Sequence, residues 1–186
     1  MFIQQTALLI IDMQIGMQSA ALPSRNNPGA EEQIAQLLRA WRERGGPIVH
    51  VRHMARSRAS VFFPGQPGAD FQPAFAPLPT EHIVEKNVPD AFIQSGLERW
   101  LHVRGLRDLV IAGVSTNHSV ESTARTAGNL GFATTVVADA TFAFAQADFA
   151  GTPRSADDVH AMSLANLQRE YASIHTTATL LSALQR

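Results

Sequence analysis

The chain has 186 residues, of which 45% are hydrophobic and 17% charged, with a formal net charge of -1 and no cysteine. That length suits a single domain spanning residues 1–186 with one core, and the composition lies far from the charge-rich signature of disorder. Nucleic acid is not expected as a partner, because binding a phosphate backbone requires a concentrated positive field and no basic run is present. The absence of cysteine excludes disulfides, thiolate metal ligands and a cysteine nucleophile.

No membrane partner is expected either: the longest apolar runs, such as Ala7 to Ile11 and Leu109 to Val114, fall well short of the roughly 20 residues that span a bilayer. Met1 to Thr6 lacks the basic and then apolar pattern of a secretory leader, so a cytoplasmic address is expected.

In chain order, Ala7-Leu8-Leu9-Ile10-Ile11 is a continuous apolar run, as in a parallel strand buried on both faces, and it ends at Asp12. Ile34, Leu37, Leu38 and Trp41 have the one-face spacing of a helix that Gly45-Gly46 closes, and Ile48 to Val51 forms the next strand. Residues Ala55 to Thr80 are rich in proline and glycine and carry Phe62, Phe63, Phe71 and Phe75. Such a segment reads as a long functional loop packed on its own domain, or as a lid or subunit contact. His82-Ile83-Val84 is a short strand ending near Lys86, and Ile93, Leu97, Trp100 and Leu101 predict a helix closed by Gly105.

Leu109 to Val114 predicts a strand, Val120, Ala124 and Ala127 a helix, and Thr134 to Val137 another strand. Asp157 to Tyr171 then predicts a helix, Ile174 to Thr176 a last strand, and Thr179 to Leu184 a terminal helix. This alternation predicts an α/β fold with three αβα layers and a doubly wound, mostly parallel six-stranded sheet of Rossmann-like form. Ligands of such sheets bind beyond the carboxyl ends of the strands, where Asp12, Lys86 and the Gly113 to Ser119 turn are expected. Asp12 follows five apolar residues, and a buried carboxylate needs a partner, which Lys86 can supply. The turn before the helix can aim backbone amides at an anion, although an ordinary capped turn accounts for the same polar residues.

Taken together, Ile10-Ile11-Asp12-Met13-Gln14, the lysine after the third strand, and Gly113-Val114-Ser115-Thr116-Asn117-His118-Ser119-Val120-Glu121-Ser122-Thr123-Ala124-Arg125 resemble the isochorismatase-like hydrolases of the cysteine hydrolase superfamily. The likeness continues through Ala127 to Phe132, Asp139-Ala140 and Val159 to Ala165, nearly the whole chain. It implies a catalytic Asp-Lys-Cys triad at Asp12, Lys86 and Ser119, with serine standing where the cysteine is usual. It also implies an oxyanion site from the amides of Ser115 and Ser119, a cis Val114–Ser115 peptide, no cofactor, a small-molecule substrate and assembly as a homo-oligomer.

A hydroxyl is far less ionised at neutral pH than a thiol, and an ordinary aspartate, with a pKa of about 3.9, is a weak base toward it. Hydrolysis of an amide, ureide or enol ether in which Asp12 and Lys86 move the proton is therefore the leading reading. A catalytically impaired small-molecule-binding relative and an engineered Cys-to-Ser variant of an amidohydrolase are alternatives. A Rossmann-type nucleotide binder would need a three-glycine turn that Asp12 to Met17 lacks.

Gln14, Arg52, Phe62, Phe63 and Asn117 are candidate substrate contacts. For Arg52 a surface ion pair explains the residue equally well, and capping explains Gln14 and Asn117. No metal is expected, since His50 and His53 lie three apart on a strand and point to opposite faces. His118 and His160 read as structural.

Overall fold

The computed structural model describes residues 3–184. Among the described residues eight strands and five helices follow in chain order: β1 (Thr6–Ile11), α1 (Ala30–Glu43), β2 (Ile48–His53), β3 (His82–Lys86), α2 (Leu97–Val103), β4 (Asp108–Val114), α3 (Glu121–Asn129), β5 (Ala133–Phe142), β6 (Gln146–Ala147), β7 (Pro153–Arg154), α4 (Ala156–Leu167), β8 (Ser173–His175) and α5 (Thr177–Leu184). Six strands form one sheet in the order β3-β2-β1-β4-β5-β8, every pair parallel, while β6 and β7 make a small antiparallel ribbon. The order reverses between β1 and β4, so the crevice of this doubly wound sheet opens where those strands end.

β1 is buried along its whole length, as its unbroken apolar run predicts for a central parallel strand. Alternate residues feed two apolar layers. Leu9, Ile11, Val51, Val84 and Ile111 pack with Leu97 and Leu101 of α2, Ala124 and Ala127 of α3, and Leu167 of α4. On the other face Leu8, Ile10, Val110 and Val137 pack with Ile34, Leu37 and Trp41 of α1 and Leu180 of α5. Trp41 is fully buried and its indole N–H donates to the Thr6 carbonyl at 2.9 Å, tying α1 to the start of β1.

Two helices are shorter than their periodicity predicts. The helix read from Ile93 begins only at Leu97, because Gly96 sits at φ 74°, a left-handed conformation that interrupts the right-handed spiral, and Ile93 is exposed. The helix read to Tyr171 ends at Leu167, where Gln168 is extended and Arg169 turns to φ 80°.

The long segment between β2 and β3 contains two short 3₁₀ turns, Pro67–Ala69 and Pro73–Phe75. It is stitched to the chain leaving β1 by Ile15 N–H to the Asp70 carbonyl at 2.9 Å and Gln72 N–H to the Met13 carbonyl at 3.0 Å. Phe75 is buried beneath it, so this loop packs against its own chain rather than standing clear of it. No helix among the described residues is long and apolar enough to cross a membrane.

Close approach of β1 and β4 depends on Gly113, at φ 120°, where a Cβ would lie 2.1 Å from the Ile11 carbonyl oxygen. Gly113→Ala should therefore lower unfolding stability by on the order of 4 kcal/mol or more. Gly45→Ala, at φ 65° with open space around it, should lose only about 1 kcal/mol. Denaturant titration of both variants checks this, and similar losses would show that the β1–β4 approach is not tight.

Candidate active site

Asp12, Lys86 and Ser119 come from three different elements and meet at the carboxyl edge of the sheet. Asp12 follows β1 at φ 52°, its N–H bonded to the Val51 carbonyl at 2.9 Å. Lys86 closes β3, and Ser119 lies in the π-helical turn Thr116–Val120 that joins β4 to α3. The Lys86 ammonium donates to Asp12 Oδ2 at 2.7 Å and to Ser119 Oγ at 3.1 Å, while the Ser119 hydroxyl donates to the same Asp12 Oδ2 at 2.6 Å. All three are buried, at 1%, 3% and 8% exposure for Asp12, Lys86 and Ser119. Asp12 Oδ1 has no protein partner among the described residues, so one carboxylate oxygen is engaged twice and the other is left with its lone pairs.

The turn carrying Ser119 is braced from behind. Val114–Ser115 is a cis peptide, and the Ser115 carbonyl accepts from the N–H groups of His118 at 3.1 Å and Val120 at 3.2 Å. Thr116 Oγ1 lies 2.8 Å from Nδ1 of buried His160, and Ser163 Oγ donates to the Thr116 carbonyl at 2.9 Å and to Glu121 Oε2 at 2.6 Å. These contacts fix α4 against the turn. Burial holds the His160 imidazole below its ordinary pKa, which suits a structural role, and His118 is exposed.

The other candidates separate into those near the cluster and those engaged elsewhere. Gln14 is fully buried and bonded to backbone: its amide N–H groups reach the carbonyls of His53 at 2.9 Å and Ala69 at 2.8 Å, and its Oε1 accepts the His53 N–H at 2.8 Å. It clamps the long loop to the end of β2. Arg52 forks onto Glu85 Oε1 at 3.0 and 2.5 Å, the surface ion pair that is one of its two readings from the sequence. Phe63 lies under the Arg58 guanidinium, whereas Phe62 packs edge-on against the His53 ring at 6.2 Å. Asn117 accepts from Ser115 Oγ at 2.6 Å, donates to Gln146 at 3.3 Å, and lines a cavity of about 750 Å³ between the β6–β7 ribbon and α4.

His50 and His53 do point to opposite faces. His50 Nε2 lies 2.8 Å from Glu81, whose carboxyl burial would raise but which the Arg42 hydrogen bond, the Leu78 amide and His50 together pull down to about 2. Among the described residues no group of three or more His, Asp and Glu side chains is placed to hold a metal ion.

Residues 6–179 match the model of the isochorismatase domain. The chain belongs to the isochorismatase family. It is a hydrolase of that family. The isochorismatase family protein YrdC of Bacillus subtilis is 36% identical over 179 residues, covering 96% of each chain. A solved structure of an isochorismatase-family chain from Chromobacterium violaceum is 47% identical and superposes with a TM-score of 0.95 over 98% of this chain and 94% of its own. The maleamate amidohydrolase of Pseudomonas putida is 33% identical over 153 residues, 73% of this chain and 71% of its own.

The geometry makes a thermodynamic prediction for this family member. Lys86→Met leaves the Asp12 carboxylate buried and unpaired and should destabilise the protein by about 3–5 kcal/mol. The double variant Asp12→Asn with Lys86→Met should recover a large part of that loss, since no buried charge is then stranded. Strict additivity of the two single effects in urea unfolding would show that the pair is not coupled.

Proposed function

We propose that the protein hydrolyses a small amide or ureide at Asp12, Lys86 and Ser119, with Asp12 as the proton carrier and water as the nucleophile. The observation that supports this reading is the closed triangle at Asp12 Oδ2, in which Lys86 and Ser119 both donate to one oxygen. The relation to a maleamate amidohydrolase favours an amide bond among the substrates open to the family.

In this scheme the Lys86 ammonium pairs with the Asp12 carboxylate and cannot itself serve as a base, because its proton donors already face the carboxylate and the serine oxygen. Ser119 points its own proton at Asp12, and a hydroxyl so placed needs a stronger base than a lysine-paired carboxylate to become an alkoxide. A water molecule gives one proton to Asp12 as its oxygen bonds to the carbonyl carbon. The carbonyl oxygen, now carrying the negative charge, is held by the backbone amides of Ser115 and Ser119. The C–N bond breaks as the proton on Asp12 passes to the leaving nitrogen, which regenerates the carboxylate. Ser119 contributes its amide and a hydrogen bond that orients Asp12.

Against a panel of small amides and ureides followed by product analysis, Asp12→Asn should lose nearly all turnover while Ser119→Ala keeps measurable activity. A separation of about two powers of ten between the variants corresponds to about 3 kcal/mol in barrier. Ser119→Cys should raise amidase activity, because a thiolate forms readily beside the same oxyanion site. Complete loss in Ser119→Ala equal to that in Asp12→Asn would overturn the water mechanism, and the absence of turnover on every amide and ureide would overturn the hydrolytic reading.

A further inference from the structure

β2 lies between β1 and β3, so the Lys86 side chain passes the end of β2 on its way to Asp12 and Ser119. His53 is the Cα partner of Lys86 in the parallel β2–β3 register, and partners in a parallel pair face the same way. Two residues earlier, Val51 and Val84 both enter the apolar layer on that face. His53 is thus the residue of the intervening strand level with the Lys86–Asp12 bridge.

The backbone of His53 is held while its ring is not. Gln14 binds both its N–H and its carbonyl, and the next N–H, of Met54, donates to the Lys86 carbonyl at 2.7 Å. The half-buried ring rests against Phe62, itself seated over Gly16, where a Cβ would lie 2.6 Å from the Phe62 ring. Among the described residues neither ring nitrogen of His53 has a hydrogen-bond partner, whereas His50 and His160 are both bonded. Burial holds the imidazole below its ordinary pKa, the Lys86 charge acts in the same direction and Asp12 opposes both, so the ring is neutral at pH 7 with one N–H to donate. The groups facing it are Asp12 from the end of β1, Lys86 from β3 and uncharged Phe62 from the loop. Arg52 and Glu85 alternate to the other face and pair with each other.

We propose that His53 is the substrate-selecting residue of this site, donating a ring N–H to a second oxygen acceptor that the substrate carries near its scissile amide. The proposal rests on the Asp12, Lys86 and Ser119 cluster being the active site. It names a substrate class, small amides bearing a carboxylate or second carbonyl, in preference to simple aliphatic amides. A fixed backbone carrying an unengaged ring donor is the arrangement that rejects ligands lacking the matching acceptor, because little is gained by covering the donor without a partner.

The test uses ketones, which the protein has no bond to hydrolyse: levulinate, carrying a ketone and a carboxylate, and 2-pentanone, of the same chain length without the carboxylate. NMR of the imidazole signals of the whole chain reads their binding. Levulinate should shift the His53 signals saturably, with an affinity at least about tenfold above that of 2-pentanone. That gap should close in His53→Leu and return in part in His53→Asn. Levulinate affinity should rise as pH falls through the His53 titration, below about 6.5, where the imidazole gains charge while the carboxylate stays ionised, and His53→Leu should abolish this dependence. Equal affinities for the two ketones, no saturable shift with either, or a gap that survives in His53→Leu would overturn the proposal. Since binding is read without turnover, a wild-type protein that discriminates between the ketones but hydrolyses no amide would count against the Asp12 reaction and not against His53.

Discussion

A carboxylate placed after five apolar residues of a fully buried strand is tolerated only if a cation reaches it. The Asp12–Lys86 bridge meets that requirement at 2.7 Å, and the architecture around it follows. β3 must end where its last side chain can pass β2, and β2 must hold its own end still. Gln14 does the latter by binding the backbone of His53 in both directions. The turn after β4 must then bring Ser119 to the same carboxylate oxygen, which the tight β1–β4 approach at Gly113 permits.

The rigidity of this edge comes from polar contacts that span long stretches of chain. Thr116 meets His160, Ser163 meets Glu121 and the Thr116 carbonyl, and Asn26 accepts the Ala143 N–H at 2.8 Å. Each of these polar groups has a partner that orients it, so the Ser115 and Ser119 amides are presented from a backbone that has few alternatives. A scheme in which oriented amides stabilise an oxyanion depends on such preorganisation more than on the nucleophile.

The sheet was legible in the sequence because its signals are local. Apolar runs of five and six residues for β1 and β4, shorter β-rich runs for the other strands, glycine stops after helices and the βα alternation are enough to place six strands and to put Asp12 and Lys86 at strand ends. Where short-range pattern and tertiary context compete, the pattern overreaches: Gly96 cut short the helix read from Ile93, and the left-handed Arg169 ended α4 early. Gln14 reads as a substrate contact from its place beside Asp12, yet its partners lie 39 and 55 residues away, beyond any local signal. Arg52 is engaged by Glu85, 33 residues on, for the same reason. From the sequence His53 reads only as a candidate metal ligand beside His50. The alternation that excluded a chelate also places His53 on the face of Lys86, and only the β2–β3 register connects the two facts.

The central claim is that water, not Ser119, attacks the substrate, and the sharpest measurement is the intact mass of the wild-type chain during steady-state turnover of its best amide, quenched in acid. The account predicts the unmodified mass alone, with product released in a single phase and no burst. A chain heavier by the acyl group, localised to Ser119 and cleared as substrate runs out, would contradict it and make Ser119 a covalent nucleophile.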